Sequence, residues 1–113
     1  MTEKKQDEKL VPELTSKQKK FLKGLAHDLP ALVQVGKEGF SKSLIEQTNL
    51  ELTRRELIKV KLGKNSGLEK DQAGITLSEA TKSTLVQLIG KTLILYRANP
   101  KRNKEERIRL PKN

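Results

Sequence analysis

The sequence predicts an α/β fold of order α-β-α-β-α-β-β, with three helices and a mixed four-stranded sheet. Three observations carry this prediction. Short strand-type runs at 32–35 and 56–62 are each followed by a stretch of helical character, so they call for βαβ crossovers and parallel pairing. Two further strand-type runs, Leu85–Ile89 and Thr92–Arg97, are separated only by Gly90-Lys91, a two-residue hairpin signal that adds antiparallel pairing. A length of 113 residues suits one domain with a modest core.

Residues 1–13 are polar, of mixed charge and without periodicity, and read as a disordered leader. The first helix starts at Thr15, which forms a capping box with Gln18, and carries Phe21, Leu22, Leu25 and Leu29 on its apolar face until Pro30 stops it. Phe21 is expected in the core. Leu32–Val35 is a short strand, after which Gly36-Lys37-Glu38-Gly39 turns the chain into a second helix over about Ser41–Thr53, with Leu44, Ile45, Thr48 and Leu52 as its buried stripe. In Glu56–Leu62, Ile58, Val60 and Leu62 point inward while Lys59 and Lys61 occupy the other face. A turn at Gly63–Gly67 leads to the third helix, roughly Leu68–Lys82. Its pattern is the faintest, because Gly74, Ile75 and Thr76 are poor helix formers and only Ala73, Leu77 and Ala80 supply an apolar face. Gln34, Lys59, Lys61 and Gln87 alternate along their strands, which predicts a sheet face only partly covered. The ordered domain is read as 14–98 and the remainder, 99–113, as a basic tail, flexible except where Ile108 and Leu110 alternate with Arg107 and Arg109 and could add an edge strand.

The formal charge is +10, from 24 Lys and Arg against 14 Asp and Glu, and the sequence pI is near 9.9. Such a balance suits a polyanionic partner. The excess is local: Thr15–Gly24 has four basic and no acidic residues, and Arg97–Asn113 has seven basic and two acidic. The absence of Cys excludes disulfides and thiolate metal sites and fits a reducing, cytoplasmic setting. No apolar stretch is long enough to span a membrane.

Catalytic and metal-binding patterns are missing. His27 is the only histidine, and the acids Glu46, Glu51, Glu69, Asp71 and Glu79 are scattered over helix surfaces. Gly90-Lys91-Thr92 looks like the end of a phosphate-binding P-loop, but Leu85 stands where that motif needs its first glycine and the segment continues as a strand. Neither a metal nor a cofactor is implied, and the chain is read as no enzyme. The GxxG at 36–39 is the positive signal, because two glycines three apart, before a helix start at Ser41, let a phosphodiester backbone approach main-chain N–H groups. A bare tight turn would use the same two glycines.

Four segments, LTSKQKKFLKGLAH (14–27), VGKEGFS (35–41), ELIKVKL (56–62) and VQLIGKTLILYR (86–97), occur in an order and spacing that closely resembles the CRM domain, specifically the small single-domain YhbY-type bacterial proteins. The resemblance covers about Leu14 to Leu110. It implies a fold similar to the C-terminal domain of bacterial translation initiation factor three, and RNA binding through the GxxG loop and adjacent basic surfaces. Bacterial members are associated with precursors of the large ribosomal subunit, so ribosomal RNA and a pre-ribosomal particle are the implied partners of a monomer in the cytoplasm. The residues expected at the interface are Gly36, Lys37, Gly39 and Ser41 of the loop, Lys17, Lys20 and Lys23 of the first helix, Lys59 and Lys61 of the second strand, and Arg97 after the last. KH domains also clamp a backbone with GxxG, but there the loop joins two helices. Phe21, Phe40 and Tyr96 are the only aromatics, too few for a stacking platform of RRM type, so phosphate and shape should dominate recognition. Two rival readings remain at this point. One is a ribosome-associated adaptor whose basic helix docks acidic protein. The other is a membrane-surface binder, for which the tail lacks an apolar face.

Overall fold

A computed structural model describes residues 13–112. The predicted leader lies outside the described residues, apart from exposed Glu13. The elements are α1 (Ser16–Ala26), β1 (Ala31–Val35), α2 (Lys42–Arg55), β2 (Leu57–Leu62), a single 3-10 turn (Lys64–Ser66), α3 (Lys70–Thr81), β3 (Thr84–Ile89) and β4 (Thr92–Tyr96). The strands form one sheet of order β1-β2-β4-β3. β1 runs parallel to β2, and β4 lies antiparallel between β2 and β3. The α/β architecture with three helices and a mixed four-stranded sheet is therefore the one the sequence predicts.

Each helix starts where a side chain can accept the orphan N–H groups of its first turn. Thr15 and Gln18 form the capping box of α1, at 3.1 and 3.0 Å, and Ser41 Oγ accepts from the Leu44 N–H at 3.2 Å in α2. Glu69 caps α3 by accepting from Gln72 and Asp71, which holds its carboxyl below the usual carboxylate range.

The two faces of the sheet are covered differently. α2 and α3 share one face, where Val33, Val35, Ile58, Val60, Leu62, Leu93 and Leu95 meet Leu44, Leu52, Ala73 and Leu77. The other face holds a smaller cluster, in which Leu22 and Ala26 of α1 pack on Leu57, Val86, Ile94 and Tyr96, with Leu14, Ile108 and Leu110 against its edge. The predicted apolar face of α1 is thus rotated. Leu22 and Ala26 are buried, whereas Phe21, expected in the core, is 38% exposed and shares its flank with half-exposed Leu25 and Leu29.

Gly74 explains the faint pattern of α3. A Cβ there would sit 2.8 Å from Leu85 Cδ2, so the glycine lets the helix lie close on the sheet. The buried face is Ala73, Gly74, Leu77 and Thr81, and Ala80 is exposed. The tail also departs from expectation. Ile108 and Leu110 add no strand; they pack on the smaller cluster, and Gln18 Nε2 donates to the Pro111 carbonyl at 3.1 Å.

Glu56 holds that tail. It stands between α2 and β2 with φ +67° and ψ −33°, a sparsely populated conformation that costs a non-glycine residue about 1–3 kcal/mol, and it is 1% exposed. Its carboxylate repays this by accepting from the Asn99 N–H at 2.8 Å, the Ile108 N–H at 2.8 Å and Arg102 Nη1 at 2.9 Å.

Candidate nucleic-acid interface

Topology brings the chemistry to one end of the sheet. Parallel pairing puts the C-terminal ends of β1 and β2 side by side, and the hairpin between β3 and β4 turns at the same end. Open α/β sheets commonly bind ligands at such carboxyl ends. The glycine loop, the Gly63-Lys64 turn and the Gly90-Lys91 turn are therefore neighbours. Backbone hydrogen bonds tie them together, from the Gly63 N–H to the Val35 carbonyl and from the Leu62 N–H to the Lys91 carbonyl, both at 2.8 Å.

In the glycine loop the Gly39 N–H donates to the Gly36 carbonyl at 3.0 Å, closing a turn in which Gly39 has φ +64°. Gly39 thus answers a backbone requirement of the turn. Gly36 does not, because its φ lies outside the left-handed region and a Cβ there would meet nothing within 4 Å. Its missing side chain leaves open space beside the main chain. Lys37 and Glu38 are both exposed, and Ser41 serves as the N-cap of α2.

On the α1 side of the sheet, Lys61 is exposed and Lys59 is half-buried, with its Nζ donating to the His27 carbonyl at 3.2 Å, just past the end of α1. Helical geometry places Lys19 and Lys23 on the flank of α1 opposite Leu25 and Phe21. Leu25 and Leu29 line a groove of about 250 Å3 with Leu57 and Ile108, at the far end of the sheet. The lysine flank accordingly faces the loop end, and Lys17 and Lys20 lie further round, toward solvent.

Charge pairing separates the cations. Among the described residues the ion pairs are Arg54 and Arg55 with Glu51, and Arg102 with Glu56, so no lysine is neutralised by a described carboxylate. Arg97, expected at the interface, turns inward instead. Its guanidinium donates to Asn49 Oδ1 at 2.8 Å, the Thr81 carbonyl at 2.6 Å, the Asn49 carbonyl at 3.0 Å and Thr53 Oγ1 at 2.9 Å. Burial lowers its pKa, and its donors are spent bolting α2 to the end of α3.

Sequence reasoning missed Lys64 and Lys91, both exposed in turns at the loop end. The signal was available in the order of the strands, since a parallel β1–β2 pair followed by the hairpin fixes which turns meet. No three His, Cys, Asp or Glu side chains gather as a metal ion would require among the described residues, and no helix there is long and apolar enough to cross a membrane.

The CRS1 / YhbY (CRM) domain family matches residues 14–97. The chain belongs to this family. It is 43% identical over 98 residues to the Probable RNA-binding protein YqeI of Bacillus subtilis, covering 87% of this chain and 99% of that one. It is 37% identical over 102 residues to an RNA-binding protein of Haemophilus influenzae, covering 88% and 96%. The solution structure of SAV1595 from Staphylococcus aureus superimposes on this CRM domain with a TM-score of 0.72 at 45% identity, covering 88% of this chain and all of that one. The matched stretch spans nearly the whole length of each of these relatives.

Proposed function

We propose that this CRM protein binds RNA, holding phosphates at the Gly36–Gly39 loop and on the lysines around it, and that its RNA is ribosomal RNA of a large-subunit precursor. The observation that carries the reading is the convergence of an unobstructed glycine loop with Lys37, Lys61, Lys64 and Lys91 at one end of the sheet, with no described carboxylate pairing them. Backbone N–H groups beside a helix N-terminus favour a bound phosphate, and surrounding lysines add attraction through counterion release. The names of the relatives support RNA as the ligand class. The ribosomal part rests on what CRM resemblance implies for bacterial members.

Gly36→Asp is the sharpest test, since the backbone and the space around Gly36 accept a side chain without strain. Affinity for a large-subunit RNA fragment should fall by about tenfold or more, with circular dichroism and melting unchanged. Unchanged affinity would reduce the loop to a turn. Crosslinking in cells then decides the RNA, with sites concentrated on one segment of large-subunit precursor RNA as the expected result and uniform scatter as the contrary one.

The adaptor reading retains one observation in its favour, the apolar groove lined by Leu25, Leu29 and Leu32 at the other end of the sheet. A steep salt dependence of binding to protein-free RNA is the result expected of the RNA reading, and a flat one that of the adaptor.

A further inference from the structure

The α1 helix leaves one row of the sheet uncovered, and that row is the place to look for sequence recognition. Register aligns Gln34 of β1 with Lys61 of β2, Lys61 with Thr92 of β4, and Thr92 with Ile89 of β3. Their chain neighbours Val35, Leu62, Leu93 and Leu88 pack in the core beneath α2 and α3, so these four side chains stand together on the opposite face. The adjoining row is already occupied. There Lys59 reaches the end of α1, and Ile94 is buried under that helix. Gln34, Lys61 and Ile89 are exposed, Ile89 by 54%, and Thr92 is half-buried. None of the polar three makes a side-chain hydrogen bond to a described residue.

A merely solvated sheet face usually mixes charges of both signs. Here the four strands contain no Asp or Glu. The row instead offers an amide with two donors and an acceptor, a hydroxyl, a cation and an apolar end. Gln34 lies two residues before Gly36, about 7 Å along the strand, which is close to the reach from a nucleotide's phosphate to its base. Four strands span about 14 Å, a width over which RRM sheets carry two or three bases on aromatic side chains; this row has no aromatic and offers hydrogen bonds and Ile89 in their place.

We infer that this row reads the bases of an unpaired RNA segment of two or three nucleotides, running from the glycine loop toward the Gly90-Lys91 turn. Gln34 and Thr92 hydrogen-bond to base edges, Lys61 between them holds the linking phosphate, and Ile89 packs against a base at the far end. In a duplex the Watson–Crick edges are paired and the A-form major groove is too deep and narrow for a sheet row to enter, so the ligand is single-stranded or looped RNA. The inference rests on the RNA-binding reading and deepens it, dividing the surface into a loop that holds phosphate and a row that specifies sequence.

The test is selection from a randomised single-stranded RNA pool by the full chain, followed by affinity measurement across salt concentrations. The wild type should enrich a motif of two or three unpaired positions and bind it at least about tenfold more tightly than the same strand in a duplex. Gln34→Ala combined with Thr92→Val should erase the motif and equalise affinity for selected and scrambled strands, while melting temperature and salt slope stay as in the wild type. Lys37→Ala should do the reverse, flattening the slope and keeping the motif. If the paired variant retains the motif, or if the wild type binds RNA without enriching any motif, the row is not a reader. If the wild type binds none of the pool, in single-stranded or duplex form, the RNA-binding reading fails and takes this inference with it.

Discussion

The loop end and the tail end of the sheet both carry cations, yet they present them in opposite ways. At the loop end, Lys37, Lys61, Lys64 and Lys91 stand exposed and form no ion pair with a described carboxylate, Glu38 next to Lys37 included. At the tail end, Arg97 and Arg102 are drawn into the protein, one by carbonyls and side-chain oxygens of α2 and α3, the other by Glu56. The type of cation differs with the setting. A guanidinium presents a planar fork of donors that satisfies several acceptors at once, whereas an ammonium is a hydrated point charge suited to mobile phosphate contact. A count of basic residues by region treats these ends alike, and only the partners of each side chain separate them.

The comparison breaks first at Glu56. If the tail end is structural, Glu56→Ala should strand the Arg102 guanidinium and the N–H groups of Asn99 and Ile108, at a cost of about 3–5 kcal/mol. Denaturant titration measures this directly. The folded fraction should retain the salt dependence of its RNA binding. A loss under about 1 kcal/mol would show that the tail is held by Ile108 and Leu110 alone and that the carboxylate is replaceable by water.

Arg97 gives a smaller effect with a sharper discrimination. Arg97→Lys preserves charge but cannot serve Asn49, Thr53 and Thr81 together, so about 2 kcal/mol of stability should be lost although the net charge is unchanged. RNA affinity at a temperature where the variant is folded should equal that of the wild type. A variant as stable as the wild type but weaker on RNA would return Arg97 to the interface and remove the contrast between the two ends.

Much of this architecture was legible in the sequence because its signals are local. Thr15 and Ser41 announce helix starts through their own hydroxyls, and the alternation in β2 assigns Lys59 and Lys61 to one face. The misread features depend on partners distant in the chain. Gly74 looks like a weakness of α3 until Leu85 is seen against it, and Phe21 looks like core until the rotation of α1 on the sheet is known. Glu56 reads as the first residue of a strand, yet its importance comes from residues 43 to 52 positions later. For the candidate site, the loop glycines and the lysines of α1 and β2 were readable from composition and spacing. Lys64 and Lys91 join them only through strand order, and Arg97 leaves them only through contacts with two helices.

Lys37 supplies the smallest expected change and the most specific one. It lies in the turn between Gly36 and Gly39, away from either core cluster, so Lys37→Ala should leave stability within about 0.5 kcal/mol of the wild type. Its contribution should appear instead in the slope of log affinity against log salt, because one lost phosphate contact removes about 0.7 to 0.9 of a released counterion. Duplex RNA and single-stranded RNA should both register the change, since a phosphate is common to them. The Arg97→Lys protein, measured beside it, should show the wild-type slope with reduced stability. Were the two variants to exchange behaviour, the cations of the loop end would be the structural ones, and the division of labour between the two ends would be inverted.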